Sequence, residues 1–101
     1  MFFEYIPRQV TITVGTSSVE VATQVSRGNR SSLVLTNTSN GGQVISVGVG
    51  QEAVAGSGIV LPPGAVLSEY IDPSFKPTTA RITAVSSAAG GTLAVYERVQ
   101  P

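Results

Sequence analysis

The chain has 101 residues, a formal net charge of zero and only 12% charged residues, which suits one domain with a modest core. A charge set this sparse and balanced gives no basic surface that would attract nucleic acid or an anionic membrane, and we expect neither as a partner. The sequence contains no cysteine and no histidine, which excludes disulfides, thiolate–metal sites and the commonest metal ligand.

Short runs of alternating apolar and polar residues, separated by Gly, Pro, Asn and Ser, recur along the chain. The first run, Q-V-T-I-T-V, places Val10, Ile12 and Val14 on one face, which is typical of a half-buried strand. No segment has the periodicity of a substantial helix. The same pattern predicts eight strands, at residues 9–14, 19–23, 32–38, 44–50, 59–61, 65–71, 79–86 and 92–99.

Eight short strands in a chain of this length predict an all-β fold, an antiparallel β-sandwich or small barrel with jelly-roll or Greek-key connections. A flat open sheet would leave its edges exposed to aggregation, which favours two packed sheets. Within the fourth strand, Gly48 and Gly50 indicate a bulge or a backbone that closely approaches a neighbour. We divide the chain into an N-terminal aromatic arm, residues 1–8, and a single β-sandwich domain, residues 9–101.

The sequence offers no combination of side chains suited to catalysis. Ser–His and Cys–His pairs need residues that are absent. Among the acids only Glu69 and Asp72 are close in sequence, and three positions apart on a strand they would point to opposite faces. We therefore predict no enzyme, metal, cofactor or small-molecule substrate, and solvated surface positions for all six acids: Glu4, Glu20, Glu52, Glu69, Asp72 and Glu97.

Aromatic residues are concentrated at the start of the chain, where Phe2, Phe3 and Tyr5 are half of the six present. Exposed aromatics are typical interface anchors, so these three are candidates for contact with another protein. The alternative is that they fold back and cover one open end of the sandwich. The start has no basic segment followed by an apolar run, so we expect no signal peptide.

Two loops supply the remaining contact candidates. Phe75 lies in a loop stiffened by Pro73 and Pro77, where it would serve either as an interface knob or as a plug over the core. Arg27 and Arg30 bracket a Gly-Asn turn. They would pair with acids of a neighbouring subunit or, by default, belong to a solvated turn.

The order of these motifs resembles a recurrent type of small bacteriophage structural protein, and the resemblance covers roughly residues 9–99. The aromatic arm lies outside it. The segments that carry the resemblance are V-T-I-T-V at 10–14 with the Gly-Thr turn after it, N-R-S-S-L-V-L-T-N-T at 29–38, V-G-V-G at 47–50, G-I-V-L-P-P-G at 58–64, R-I-T-A at 81–84 and L-A-V-Y-E at 93–97.

The resemblance implies a β-sandwich on a phage particle, as a head decoration or cement protein, a vertex component, or a small fibre or spike domain. Its expected partners are the major coat protein and further copies of itself in a symmetric homo-oligomer. We expect synthesis in the host cytoplasm and residence in the virion. The alternative is a receptor- or carbohydrate-binding module of a fibre or spike, although the chain has no Trp and Tyr70 and Tyr96 fall within predicted strands.

Overall fold

The computed structural model describes residues 5–25, 30–71 and 76–100 and contains two four-stranded antiparallel sheets. This confirms the predicted all-β sandwich. The strands are β1 (Ile6–Val14), β2 (Val19–Ala22), β3 (Arg30–Asn37), β4 (Ile45–Val49), β5 (Ile59–Leu61), β6 (Val66–Tyr70), β7 (Ile82–Ser86) and β8 (Gly91–Val99). In the described part of the chain, no helix is long and apolar enough to cross a membrane.

The strand order identifies a jelly roll, one of the two predicted topologies. Sheet A has the order β1-β8-β3-β6 and sheet B the order β2-β7-β4-β5. Every connection between successive strands passes from one sheet to the other, except the one that joins β4 to β5 within sheet B. Neighbouring strands therefore pair across large separations in sequence, as in other jelly rolls.

The core lies between the inner faces of the two sheets and follows the alternation read from the sequence. In β3, Leu33 and Leu35 are 1% and 0% exposed, while Val34 between them points outward and is only half-buried. The same alternation holds in β1 and β8. The other core residues are Val14, Val21, Ala22, Ile45, Val47, Leu61, Ile82, Ala84, Leu93 and Val95.

The strand register divides the sandwich into two ends. Val99 lies opposite both Ile6 and Arg30, and Ile82 lies opposite Val49. We call the end that contains these residues the Ile6 end. The end of β2, the start of β3, the end of β6 and the start of β7 lie there too.

Three strands begin two or more residues away from their predicted starts, and the other five begin within one residue of them. β1 starts at Ile6, so residues 6–8 of the predicted arm belong to sheet A. Pro7 concealed this start, because proline removes a backbone donor and argues against a central strand; β1 pairs only with β8 and is an edge strand, where proline is tolerated. β3 starts at Arg30 instead of residue 32, and β7 starts at Ile82 instead of residue 79.

Candidate contact surfaces

A buried ionic cluster occupies the space between the sheets at the Ile6 end. Arg30 Nε donates to Glu97 Oε2 at 2.9 Å, and Arg8 Nη1 donates to Glu97 Oε1 at 3.0 Å. The Arg30 side chain is 0% exposed and that of Glu97 is 4% exposed, whereas Arg8 reaches the surface. A buried carboxylate is tolerated here because both of its oxygens receive charged donors.

The remaining donors of Arg30 are used by backbone carbonyls. Nη1 donates to Thr78 O at 2.8 Å and to Ala80 O at 3.1 Å, and Nη2 donates to Thr23 O at 2.8 Å. The guanidinium thus joins β3 to the connections that enter and leave sheet B. Such multiple planar hydrogen bonding is what arginine, and not lysine, provides.

These contacts correct two predictions. Arg30 is neither a solvated turn residue nor an exposed partner for acids of a neighbouring subunit, because its side chain is enclosed and makes four hydrogen bonds within the chain. Glu97 is not a solvated acid. The sequence held a signal for the second correction: Glu97 continues the alternation of Leu93 and Val95, so it had to face the core.

The other predicted contact residues are only partly covered by the structure. Tyr5 is half-buried and directly precedes β1. The remaining predicted contacts, Phe2, Phe3, Arg27 and Phe75, lie outside the described residues. Their roles, as interface anchors or as covers of the sandwich end, stay predictions.

The outer face of sheet B is covered by the chain itself. Residues 50–58, which connect β4 to β5, contact the outward side chains of the central strands β4 and β7, whereas the outward residues of the edge strands β2 and β5 are exposed. Thr83 Oγ1 donates to Gln51 O at 2.6 Å, and Gly56 N donates to Ser46 Oγ at 2.9 Å. Ser46 and Thr83 point away from the core, yet they are 2% and 1% exposed. The predicted alternation in β7 is therefore present, but both of its faces are buried.

The close backbone approach predicted at Gly48 is confirmed. A Cβ atom at this position would lie 2.6 Å from Thr83 Oγ1 and 2.8 Å from Gln51 O. The register of β4 with both neighbours is unbroken, so the glycine accommodates the covering loop and not a bulge. Gly50, with φ of 74°, turns the chain into that loop.

Polar contacts attach the covering loop along its length. Ala53 N donates to Ser18 Oγ at 3.0 Å, and Arg81 Nη2 donates to Glu52 Oε1 at 3.2 Å. Hydrogen bonds from the Ser18 hydroxyl and from Arg81 hold the pKa of Glu52 below its ordinary value of 4.5. The loop is thus anchored to the β1–β2 turn and to the residue before β7.

A groove of about 390 Å³ lies between this loop and strands β4 and β5. Its only ionisable side chain is Glu52, which already pairs with Arg81. Among the described residues no group of three or more His, Cys, Asp or Glu could hold a metal ion.

The outer face of sheet A presents a contrast, because its side chains are mostly half-buried or exposed. The outward positions are Pro7, Gln9, Thr11 and Thr13 of β1, Thr92, Ala94, Tyr96 and Arg98 of β8, Ser32, Val34 and Thr36 of β3, and Val66, Ser68 and Tyr70 of β6. Only Arg98 among them carries a charge. A shallow depression of about 200 Å³ crosses the middle of the face, lined in part by Val34, Thr36 and Tyr96.

Comparison with known proteins supports the fold and gives no family. No protein-family model matches the sequence, and no curated protein is significantly similar to it. Among solved structures, the chain resembles that of Bacillus endospore appendages, which form a family of disulfide-linked pili. The TM-score is 0.54 at 16% sequence identity, over 99% of this chain and 91% of that one. At this identity the likeness shows a shared β-sandwich.

Proposed function

We propose that this chain is a non-enzymatic structural protein that attaches to an assembled protein shell through the outer face of sheet A. From the sequence resemblance, we propose that the shell is a bacteriophage capsid and the chain a decoration, cement or vertex component. The carrying observation is the difference between the two outer faces: the chain's own loop covers one, and the other is uncovered and almost without charge.

The composition of the uncovered face supports a protein partner. Depletion of charge and the presence of tyrosine distinguish the centres of protein interfaces from ordinary surface. Here Tyr96, Val34 and Ala94 are surrounded by threonine and glutamine side chains that can hydrogen-bond across an interface. A partner would have to desolvate only one ionic group of this face, Arg98. Burial of an unpaired charge, the largest cost of such contacts, is thus nearly avoided.

The size of the face favours attachment in many copies. With strands about 4.8 Å apart and residues about 3.3 Å apart along them, a four-stranded, nine-residue face spans on the order of 500 Å². A standard interface buries about 800 Å² on each partner. A single copy would therefore bind modestly, but many copies bound to folded coat subunits stabilise a shell by mass action.

The pilus comparison adds one contrast. The appendage family is disulfide-linked, and this chain has no cysteine. Its assembly must therefore use other contacts, and we propose non-covalent surfaces.

The test is co-sedimentation of the purified protein with empty capsids. Thr36→Lys places a charge in the middle of the sheet A face, and Val54→Lys places the same charge on the loop that covers sheet B, where Val54 is 63% exposed. We expect Thr36→Lys to weaken binding at least about tenfold and Val54→Lys to leave it unchanged. Equal binding by the two folded variants, or no binding by the wild-type chain, would refute the proposal.

A carbohydrate-binding module is the second candidate, because Tyr70 is 58% exposed and lies on the same face as Tyr96. Exposed tyrosine rings offer an apolar surface with a polar tip, on which a sugar face can stack. Binding to a glycan array that Tyr70→Ala abolishes, without sedimentation on capsids, would favour this candidate.

A further inference from the structure

Strand β6 is the least protected edge of the sandwich. Natural edges are blunted by proline, charge, bulges or short length. β1 carries Pro7, β2 has a register shift between Glu20 and Ala22, and β5 has only three residues. β6 (V-L-S-E-Y) has no proline, no register shift and no outward charge. Its one protective feature is the inward-pointing Glu69, whose Oε1 is engaged as acceptor from Thr78 N at 3.2 Å.

The hydrogen bonds to β3 show which backbone groups of β6 face outward. Asn37 N donates to Ala65 O at 3.1 Å, and Ile71 N donates to Ser31 O at 2.9 Å. Because successive residues of a strand direct their backbone groups to opposite sides, odd-numbered residues serve β3. The N–H and C=O groups of Val66, Ser68 and Tyr70 are therefore directed to the free edge.

We propose that β6 pairs in antiparallel fashion with β6 of a second copy, around a two-fold axis at Ser68. Sheet A then continues into the sheet A of the second copy. Ser68 lies opposite its own counterpart, and Val66 lies opposite the counterpart of Tyr70 on both sides of the axis. Every outward backbone group of these three residues is then paired, as in a regular antiparallel ladder.

The side chains favour this register over its neighbours. Val66 opposite Tyr70 is a β-branched–aromatic pair, one of the stabilising cross-strand combinations, and it occurs twice. A shift of the axis to residue 69 would set Glu69 against its own counterpart, and directly opposed like charges destabilise a sheet. A shift to residue 67 would bring the turn residue Gly64, with φ of 83°, into the paired segment.

This dimer deepens the proposed assembly function but needs no capsid. It rests on the proposed function in one respect: on a shell, the β6 edge would give neighbouring copies a defined surface through which to contact one another. Self-association is measured on the purified chain and attachment on capsids, so the failure of one leaves the other standing.

The first test uses the absence of cysteine from the chain. In a hydrogen-bonded antiparallel pair the Cα atoms are about 5.5 Å apart, within the roughly 4.4–6.8 Å that a disulfide spans. Ser68→Cys should form a covalent dimer under mild oxidation at least about tenfold faster than Ser17→Cys, a control on the exposed β1–β2 turn. Equal rates for the two variants would overturn the proposal.

The second test removes a donor from the edge. Ser68→Pro deletes an N–H that points away from β3, so the fold should tolerate it, whereas Ser68→Thr keeps that N–H. Sedimentation velocity should show a dimer for the wild-type chain and Ser68→Thr, and a dissociation constant at least about tenfold higher for Ser68→Pro. A monomeric wild-type chain, or a Ser68→Pro chain that dimerises as the wild type does, contradicts the pairing. Should Ser68→Pro fail to fold, the cysteine variant decides.

Discussion

Each sheet has four strands with one face on the core, but the outer faces of the two sheets differ. On sheet B all five residues of β7 are buried, because residues 50–58 cover the face and bond to Thr83 and Ser46. On sheet A, Tyr96 and Val34 of the central strands stay half-buried, and the flanking positions are exposed. A jelly roll needs only its inner faces to fold, so the outer faces are free to differ. The chain's own loop contacts the centre of one face, and the other face is without such a cover.

The largest expected effect is the loss of stability when the buried Arg30–Glu97 cluster between the two sheets is broken. Arg30→Ala would leave Glu97 buried with Arg8 as its only ionic partner and would remove the donor from three carbonyls. We expect a loss of about 3–5 kcal/mol in the free energy of unfolding, as for other broken buried pairs. Urea denaturation measures it.

The control is Arg81→Ala, which breaks the pair with Glu52, whose side chain is 68% exposed. Exposed pairs contribute about 0–1 kcal/mol. Similar losses for the two variants would mean that the Arg30 cluster does not behave as a buried one.

A smaller effect tests the covering of sheet B directly. Gly48→Ala would place a methyl group 2.6 Å from Thr83 Oγ1 and 2.8 Å from Gln51 O, so the loop must move away from the face. We expect a loss of about 1–3 kcal/mol, the usual cost of overpacking. Gly15→Ala is the matched control, since its Cβ would meet no atom within 4 Å. Thermal unfolding of both variants decides, and an unaffected Gly48→Ala chain would show that the loop is not tightly packed.

The smallest effect is the pH dependence of the loop anchor. The pKa of Glu52 is lowered by the Ser18 hydroxyl and by Arg81, so its contribution to stability is complete above the ordinary pKa of 4.5. It is lost as the pH falls through the lower folded value. The difference in unfolding free energy between wild type and Glu52→Gln should therefore shrink as the solution is acidified below pH 4.5. If this difference in unfolding free energy grew on acidification, it would contradict a lowered pKa of Glu52 in the folded protein.

Much of the fold was predictable because strand alternation and turn residues are local signals. The sequence predicts all eight strands, and Val10, Ile12 and Val14 of β1 share the core-facing side as their alternation indicates. The pairing of strands was left between two topologies, since it depends on contacts between distant residues. Pro7 is tolerated in β1 because β1 is an edge strand, and the place of a strand in its sheet depends on the same distant contacts.

The surfaces were harder to predict than the strands. The alternation of β7 gave no sign that Thr83 would be buried from outside, because the burial comes from a loop more than 30 residues away in sequence, at Gln51. Arg30 was interpreted as part of a turn, since charged residues are rarely buried without partners and its partner Glu97 is 67 residues away. In both cases a polar residue is buried through a contact that no local pattern contains.

Side-chain footprinting of the capsid-bound chain is the most direct test of the central claim, that the uncovered face of sheet A is the attachment surface. Hydroxyl radicals modify exposed tyrosine and aliphatic side chains, so Tyr96 on sheet A and Val54 on the covering loop report on the two outer faces in one experiment. The account predicts that capsid binding protects Tyr96 and leaves Val54 as reactive as in the free protein. Protection of Val54 with unchanged modification of Tyr96 would contradict it.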